Sequence, residues 1–194
     1  MDKKYHSILL SIYIAAICFL TYACVYAFRK PFTIGLYQNE PSFFGVDYKN
    51  ILVIAQVLGY TVSKFCGIKY ISELKQIGRG WAILILIMAS WLPLLCFPFV
   101  DSPWNTIFLF LNGLPLGVLW GLIFSFVEGR KSTDFIGATM AVSFIVSSGF
   151  VKSIGMWLFV HYNIAENWIP FYTGAIFIIP IILLVYLLEK IPPP

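Results

Sequence analysis

The stretch Trp104–Val127, WNTIFLFLNGLPLGVLWGLIFSFV, contains no Asp, Glu, Lys or Arg. A run of about 20 apolar residues crosses the roughly 30 Å of hydrocarbon in a bilayer. In lipid, a lone segment satisfies its backbone groups only as a helix. Gly113, Gly117 and Gly121 fall at i, i+4 and i+8 within it, a spacing that lets a neighbouring backbone approach closely. Pro115 here and Pro93 upstream are expected to kink their helices.

Working outward, five further runs have the same character: about 8–28, 51–71, 81–100, 135–160 and 168–188. No soluble stretch of domain size separates them. The longest connection, about 29–50, holds the turn formers Pro31, Gly35, Pro41 and Gly45. Hydrophobic residues make up 60% of the chain and charged ones 11%, against about 25% charged in a soluble domain. With a mean hydropathy of +0.86, lipid must be part of the solvent. Soluble enzyme, nucleic-acid binder and secreted disulfide scaffold are thereby disfavoured. The expected fold is all-α and integral to the membrane, a six-helix bundle over residues 1–194.

The first run is too long for a signal-peptide core, and Arg29-Lys30-Pro31 follows it instead of a cleavage site. Trp81, Trp104, Trp168 and Tyr5 sit at span ends, where amphipathic rings anchor. Cys18, Cys24, Cys66 and Cys96 all fall within spans without a CxxC pattern. They are expected to pack as small apolar groups, and no metal or cofactor is expected.

Orientation follows from the basic residues near span ends. With the N-terminus inside, inner segments hold Lys3, Lys4, Lys69, Lys75, Arg79, Arg130, Lys131 and Lys190, and outer connections hold Lys49 alone. Both termini are therefore expected to be cytoplasmic.

All nine acidic residues lie in termini or connections, whereas four of thirteen basic ones, Arg29, Lys30, Lys64 and Lys152, lie in or at the edge of spans. An intramembrane charge costs several kcal/mol and marks a functional site whose partner must be named. Here no intramembrane carboxylate can serve, so the missing partner is expected to be an anionic ligand. Lys30, beside Pro31, is expected to snorkel or lie in the loop. Lys64 lies 13 and 7 residues from its span ends, about 20 and 10 Å, which makes snorkelling strained. Lys152, 17 and 8 residues from its span ends, is at intermediate depth.

Helical spacing stacks polar groups on these cations. Tyr22, Tyr26 and Arg29 are at i, i+4, i+7; Gln56, Tyr60 and Lys64 at i, i+4, i+8; Ser148 and Lys152 at i, i+4, with Ser147 alongside. An arginine fork with neighbouring lysines suits a phosphate or carboxylate. Intramembrane proteolysis is disfavoured. No GxSG serine occurs, His6 and His161 lie outside the spans, and no span holds an aspartate.

Six helices with both ends inside resemble one half, the N-terminal one, of a major facilitator superfamily transporter, built from three-plus-three inverted repeats. Tyr22-x3-Tyr26-x2-Arg29-Lys30-x-Phe32 resembles the first helix of the organophosphate:phosphate antiporters, and Gly59-Tyr60-x2-Ser63-Lys64-Phe65 their second. That resemblance implies that Arg29 and Lys64 belong to a phosphate site. Across nearly the whole chain, YAFRKPF (26–32), DYK (47–49), QVLGY (56–60), SKF (63–65) and IPPP (191–194) are similar to an uncharacterised bacterial family of major-facilitator-like proteins, which implies fold but no substrate. Phe144 and Ile145 stand where the antiporters carry a His-Asn pair, and the superfamily's G-x3-D-R-x-G-R loop is reduced to Gly67…Ser72-Glu73-Leu74-Lys75…Gly78-Arg79. Glu73 and Arg79 are the gating residues the resemblance leaves.

The expected protein is a secondary transporter, or its N-terminal half, in a bacterial inner membrane. It would move a small anion, an organophosphate or phosphate, by alternating access. Arg29, Lys64 and Lys152 would hold charge, and Tyr22, Tyr26, Gln56 and Tyr60 would orient. Exchange of anions fits the absence of a carboxylate relay. A second six-helix half, or a second copy of the chain, is the expected partner. The alternative is a non-transporting protein of the same fold: a receptor, assembly factor or inactive half.

Overall fold

The computed structural model describes the backbone of residues 3–43, 45–73 and 78–192, and the side chains of 8–43, 45–67 and 78–192. Its six long helices are α1 (Lys3–Val25), α2 (Tyr48–Glu73), α3 (Arg79–Cys96), α4 (Thr106–Phe124), α5 (Thr133–Tyr162) and α6 (Ile169–Glu189). Each is long and apolar enough to cross a membrane. Short 3-10 turns extend α1 (Tyr26–Phe28) and α3 (Phe97–Phe99) and precede α6 (Glu166–Trp168). The expected spans therefore match the helices to within a few residues at each end.

Polarity is distributed as lipid demands. Phe65, Ile145 and Ile179 are more than three-quarters exposed, while Thr21, Ser90, Asn112, Ser143 and Thr173 are wholly buried. Three of the buried hydroxyls bond back to their own helix: Thr21 to the Ile17 carbonyl (2.7 Å), Ser90 to that of Ile87 (2.8 Å) and Ser143 to that of Met140 (2.6 Å). Cys18 and Cys24 are buried as small packers, but Cys66 and Cys96 are exposed. Trp81 and Trp104 project outward from the span ends.

Helix pairing has an internal symmetry. Exchanging α1 with α4, α2 with α5 and α3 with α6 turns the α1–α5 interface into α2–α4 and α1–α6 into α3–α4, and leaves α3–α6 and α1–α4 in place, while the α5–α6 interface has no α2–α3 counterpart of similar extent among the described residues. The α2–α4 interface is the most extensive, and glycine is the reason. A Cβ at Gly113 would overlap the Gln56 carbonyl, one at Gly117 the Tyr60 carbonyl, and one at Gly59 the Phe110 carbonyl. Two backbones touch along this seam. Pro93 and Pro115 are accommodated inside continuous helices.

Each end of the bundle is tied by polar contacts. Where the termini meet, Arg79 Nη1 donates to the Ser125 carbonyl at the end of α4 (2.8 Å), and an Arg130 Nη2 donates to the Pro192 carbonyl. At the opposite end the 29–47 connection folds into a strap with its own small core, formed by Phe32, Tyr37, Tyr48, Leu52, Phe97 and Leu109. The Tyr37 amide donates to the Glu166 carboxylate (2.7 Å), and the Tyr48 hydroxyl donates to Asn105 Oδ1.

Candidate anion site

The site begins where α1 stops being an α-helix. Pro31 has no amide hydrogen to donate back into the helix, and the amides of Arg29 and Lys30 both bond to the Tyr26 carbonyl (3.1 and 3.0 Å). The carbonyls of Phe28 and Arg29 then need other donors. Asn112 Nδ2, wholly buried on α4, donates to the Phe28 carbonyl (3.0 Å) and to the Ser90 carbonyl of α3 (2.7 Å). Gln56 Nε2 of α2 donates to the Arg29 carbonyl (3.0 Å) and to Asn112 Oδ1 (2.7 Å). Two amide side chains thus tie four helices and fix the backbone that carries Arg29.

From that anchor the cations diverge. The Arg29 guanidinium lies 4.4 Å from the centroid of the Tyr60 ring and 5.8 Å from that of Tyr26, and Lys64 Nζ lies 4.9 Å from the Tyr60 centroid. One half-exposed phenol ring on α2 therefore has two cations beside it. Lys30 follows in the connection, within reach of the charges of Arg29 and Lys152. It is half-buried, and desolvation, then the charges of Arg29 and Lys152, hold its ammonium below the ordinary lysine range. Among the described residues none of the four cations has a carboxylate partner. Within the observed α2, Lys64 lies about 24 Å from one helix end and about 13 Å from the other.

The aromatic half of the predicted site is packed. Tyr22 and Tyr26 are buried against each other (5.8 Å) and against Phe144 of α5 (5.0 and 5.9 Å), while Ile145 points outward. Gln56 is also buried, and both of its N–H donors are used within the protein. Ser147 is buried, Ser148 half-buried and Lys152 exposed. The structure brings Arg29, Tyr26, Tyr60 and Lys64 together, while Lys152 bears on them only through the effect of its charge on Lys30. Arg79 sits apart, holding the start of α3 to the end of α4; the Glu73 side chain lies outside the described residues.

Lys30 lies in the connection, as expected, and is half-buried there. One contributor escaped the reading of the sequence. Asn112 was passed over, although a single amide inside an apolar span is itself a signal, because a buried amide demands partners.

Comparison with known proteins places the chain by family alone. Residues 31–194 match DUF5690, a family of unknown function, and the chain belongs to it. No curated protein and no solved structure matches it.

Proposed function

We propose that this member of the DUF5690 family is a secondary transporter, or half of one, for a small anion of the phosphate or phosphate-ester class. The observation that carries the reading is the meeting of Arg29 and Lys64 beside the Tyr60 ring, with no carboxylate partner among the described residues. Arg29 offers a planar fork and Lys64 a point charge, complementary ways to bind an oxyanion. Tyr60 holds both heads until the anion arrives, Lys152 adds charge through Lys30, and Gln56 and Asn112 fix the backbone behind Arg29.

Leaving Lys64, inside its span, against lipid would cost up to about 2.5–3.5 kcal/mol, the figure for the membrane centre. A second six-helix bundle, a further half or another copy of the chain, covers the face in this proposal. Alternating access then moves the anion between the two bundles. With no acidic residue in the span interiors, anion exchange is the favoured coupling, and the bias of basic residues orients both termini to the cytoplasm.

The test is a thermal-shift panel of phosphate, glycerol phosphate and simple carboxylates on purified protein, followed by uptake of labelled phosphate into phosphate-loaded liposomes. A ligand at a hundred times its Kd stabilises by about 2.7 kcal/mol, so a clear rise in Tm is expected with at least one phosphate compound. Arg29→Gln and Lys64→Gln should each abolish both the shift and the uptake while expression persists. Unchanged uptake in both variants would overturn the assignment.

A further inference from the structure

The end of the bundle where the termini meet carries two adjoining cavities that the proposed transport site does not use. One is a cleft of about 450 Å³ between α1 and the α4–α5 connection, floored by Leu10 and Ile14 and rimmed by Arg130, Lys131 and Ser132. The other is a groove of about 350 Å³ along α1, bounded by Leu9, Leu10, Ile12 and Tyr13. Leu10 is common to both, so the apolar groove runs into the basic cleft. Arg130 is tied by one Nη to the Pro192 carbonyl, and its Nε is buried without an acceptor among the described residues.

From this juxtaposition we propose that the paired cavities bind one anionic phospholipid, its phosphodiester headgroup between Arg130 and Lys131 and an acyl chain along the α1 groove. The chemistry selects both halves of such a ligand. A fixed guanidinium beside a lysine recognises phosphate oxygens, and basic pockets between helices are known settings for acidic headgroups. A free phosphate would leave the groove without purpose. A zwitterionic lipid offers the same phosphate but sets its own ammonium beside the two cations, so the pair of positive charges favours a headgroup with net negative charge. The site stands at the α4–α5 connection, away from Arg29 at the end of α1 and Lys64 within α2, and is independent of the transport reading.

The whole chain, reconstituted in phosphatidylcholine nanodiscs with and without phosphatidylglycerol, should retain one phosphatidylglycerol on extraction, counted by native mass spectrometry. Each basic residue near an anionic lipid contributes about fivefold, so Arg130→Gln/Lys131→Gln should lower the preference over phosphatidylcholine about 25-fold. The charge-preserving Arg130→Lys/Lys131→Arg should keep most of it, and Ile12→Trp, which fills the groove, should release the lipid with the charges intact. Retention unchanged in the Gln double variant overturns the proposal. So does loss in both double variants, and so does displacement of the lipid by inorganic phosphate alone.

Discussion

The α2–α4 and α1–α5 interfaces are counterparts under the internal symmetry, yet they are built from opposite materials. At α2–α4, Gly59, Gly113 and Gly117 bring two backbones into contact. At α1–α5, Tyr22 and Tyr26 meet Phe144 ring to ring. Backbone contact allows almost no adjustment, because carbonyls and Cα atoms have no rotamers to change. Rings can tilt and slide within the broad minimum of aromatic pairing. One side of the bundle is thus rigid and the other adaptable, and the unpaired cations lie at the end of α1 between them.

The most damaging change should be at the seam. Gly113→Ala sets a methyl group into the Gln56 carbonyl, so the helices must part; about 3 kcal/mol of stability should be lost, at the upper end of overpacking costs. Thermal unfolding in detergent measures it, and a loss under about 1 kcal/mol would mean that the seam is as adaptable as its counterpart. Asn112→Leu comes next. It strips the Phe28 and Ser90 carbonyls of a donor and Gln56 of an acceptor, for an expected loss of about 2 kcal/mol. Hydrogen exchange should become faster around residues 26–30, whereas unaltered exchange there would show that the network does not hold the end of α1.

Phe144→Ala should cost only about 1 kcal/mol, since the two ring pairings it removes are individually weak and α1 can settle against α5. An equal loss in Phe144→Ala and Gly113→Ala would erase the contrast between the interfaces. The smallest effect belongs to Lys30. Its ammonium is disfavoured in the folded state, so the unfolded chain binds the proton more tightly and stability rises with pH up to the ordinary lysine range. Relative to Lys30→Met, the wild-type protein should gain in Tm as pH is raised through the alkaline range. A constant difference between the two proteins would show that Lys30 is not held below its ordinary range.

The spans were legible because lipid rewards uninterrupted apolar runs, and so was the glycine seam, because i, i+4 spacing places small residues on one helix face. Arg29 and Lys64 were legible as charges without partners. Their meeting at Tyr60 was not, since it depends on where α1 breaks and which carbonyls the break exposes. Lys30 was legible as a boundary residue, but the charge of Lys152 that bears on it, 122 positions away, was not. The stacking of Phe144 on two tyrosines was not legible, because it depends on the packing of α1 against α5.

The unwound end of α1 has a mechanical consequence. The Phe28 carbonyl is held by α4 and the Arg29 carbonyl by α2, and α2 and α4 are locked along their glycines. Kinematically, the arginine is a passenger of that locked pair rather than of the helix whose sequence it ends. Any displacement of α2 and α4 as a unit would carry the guanidinium with it, while the aromatic contact between α1 and α5 takes up the slip.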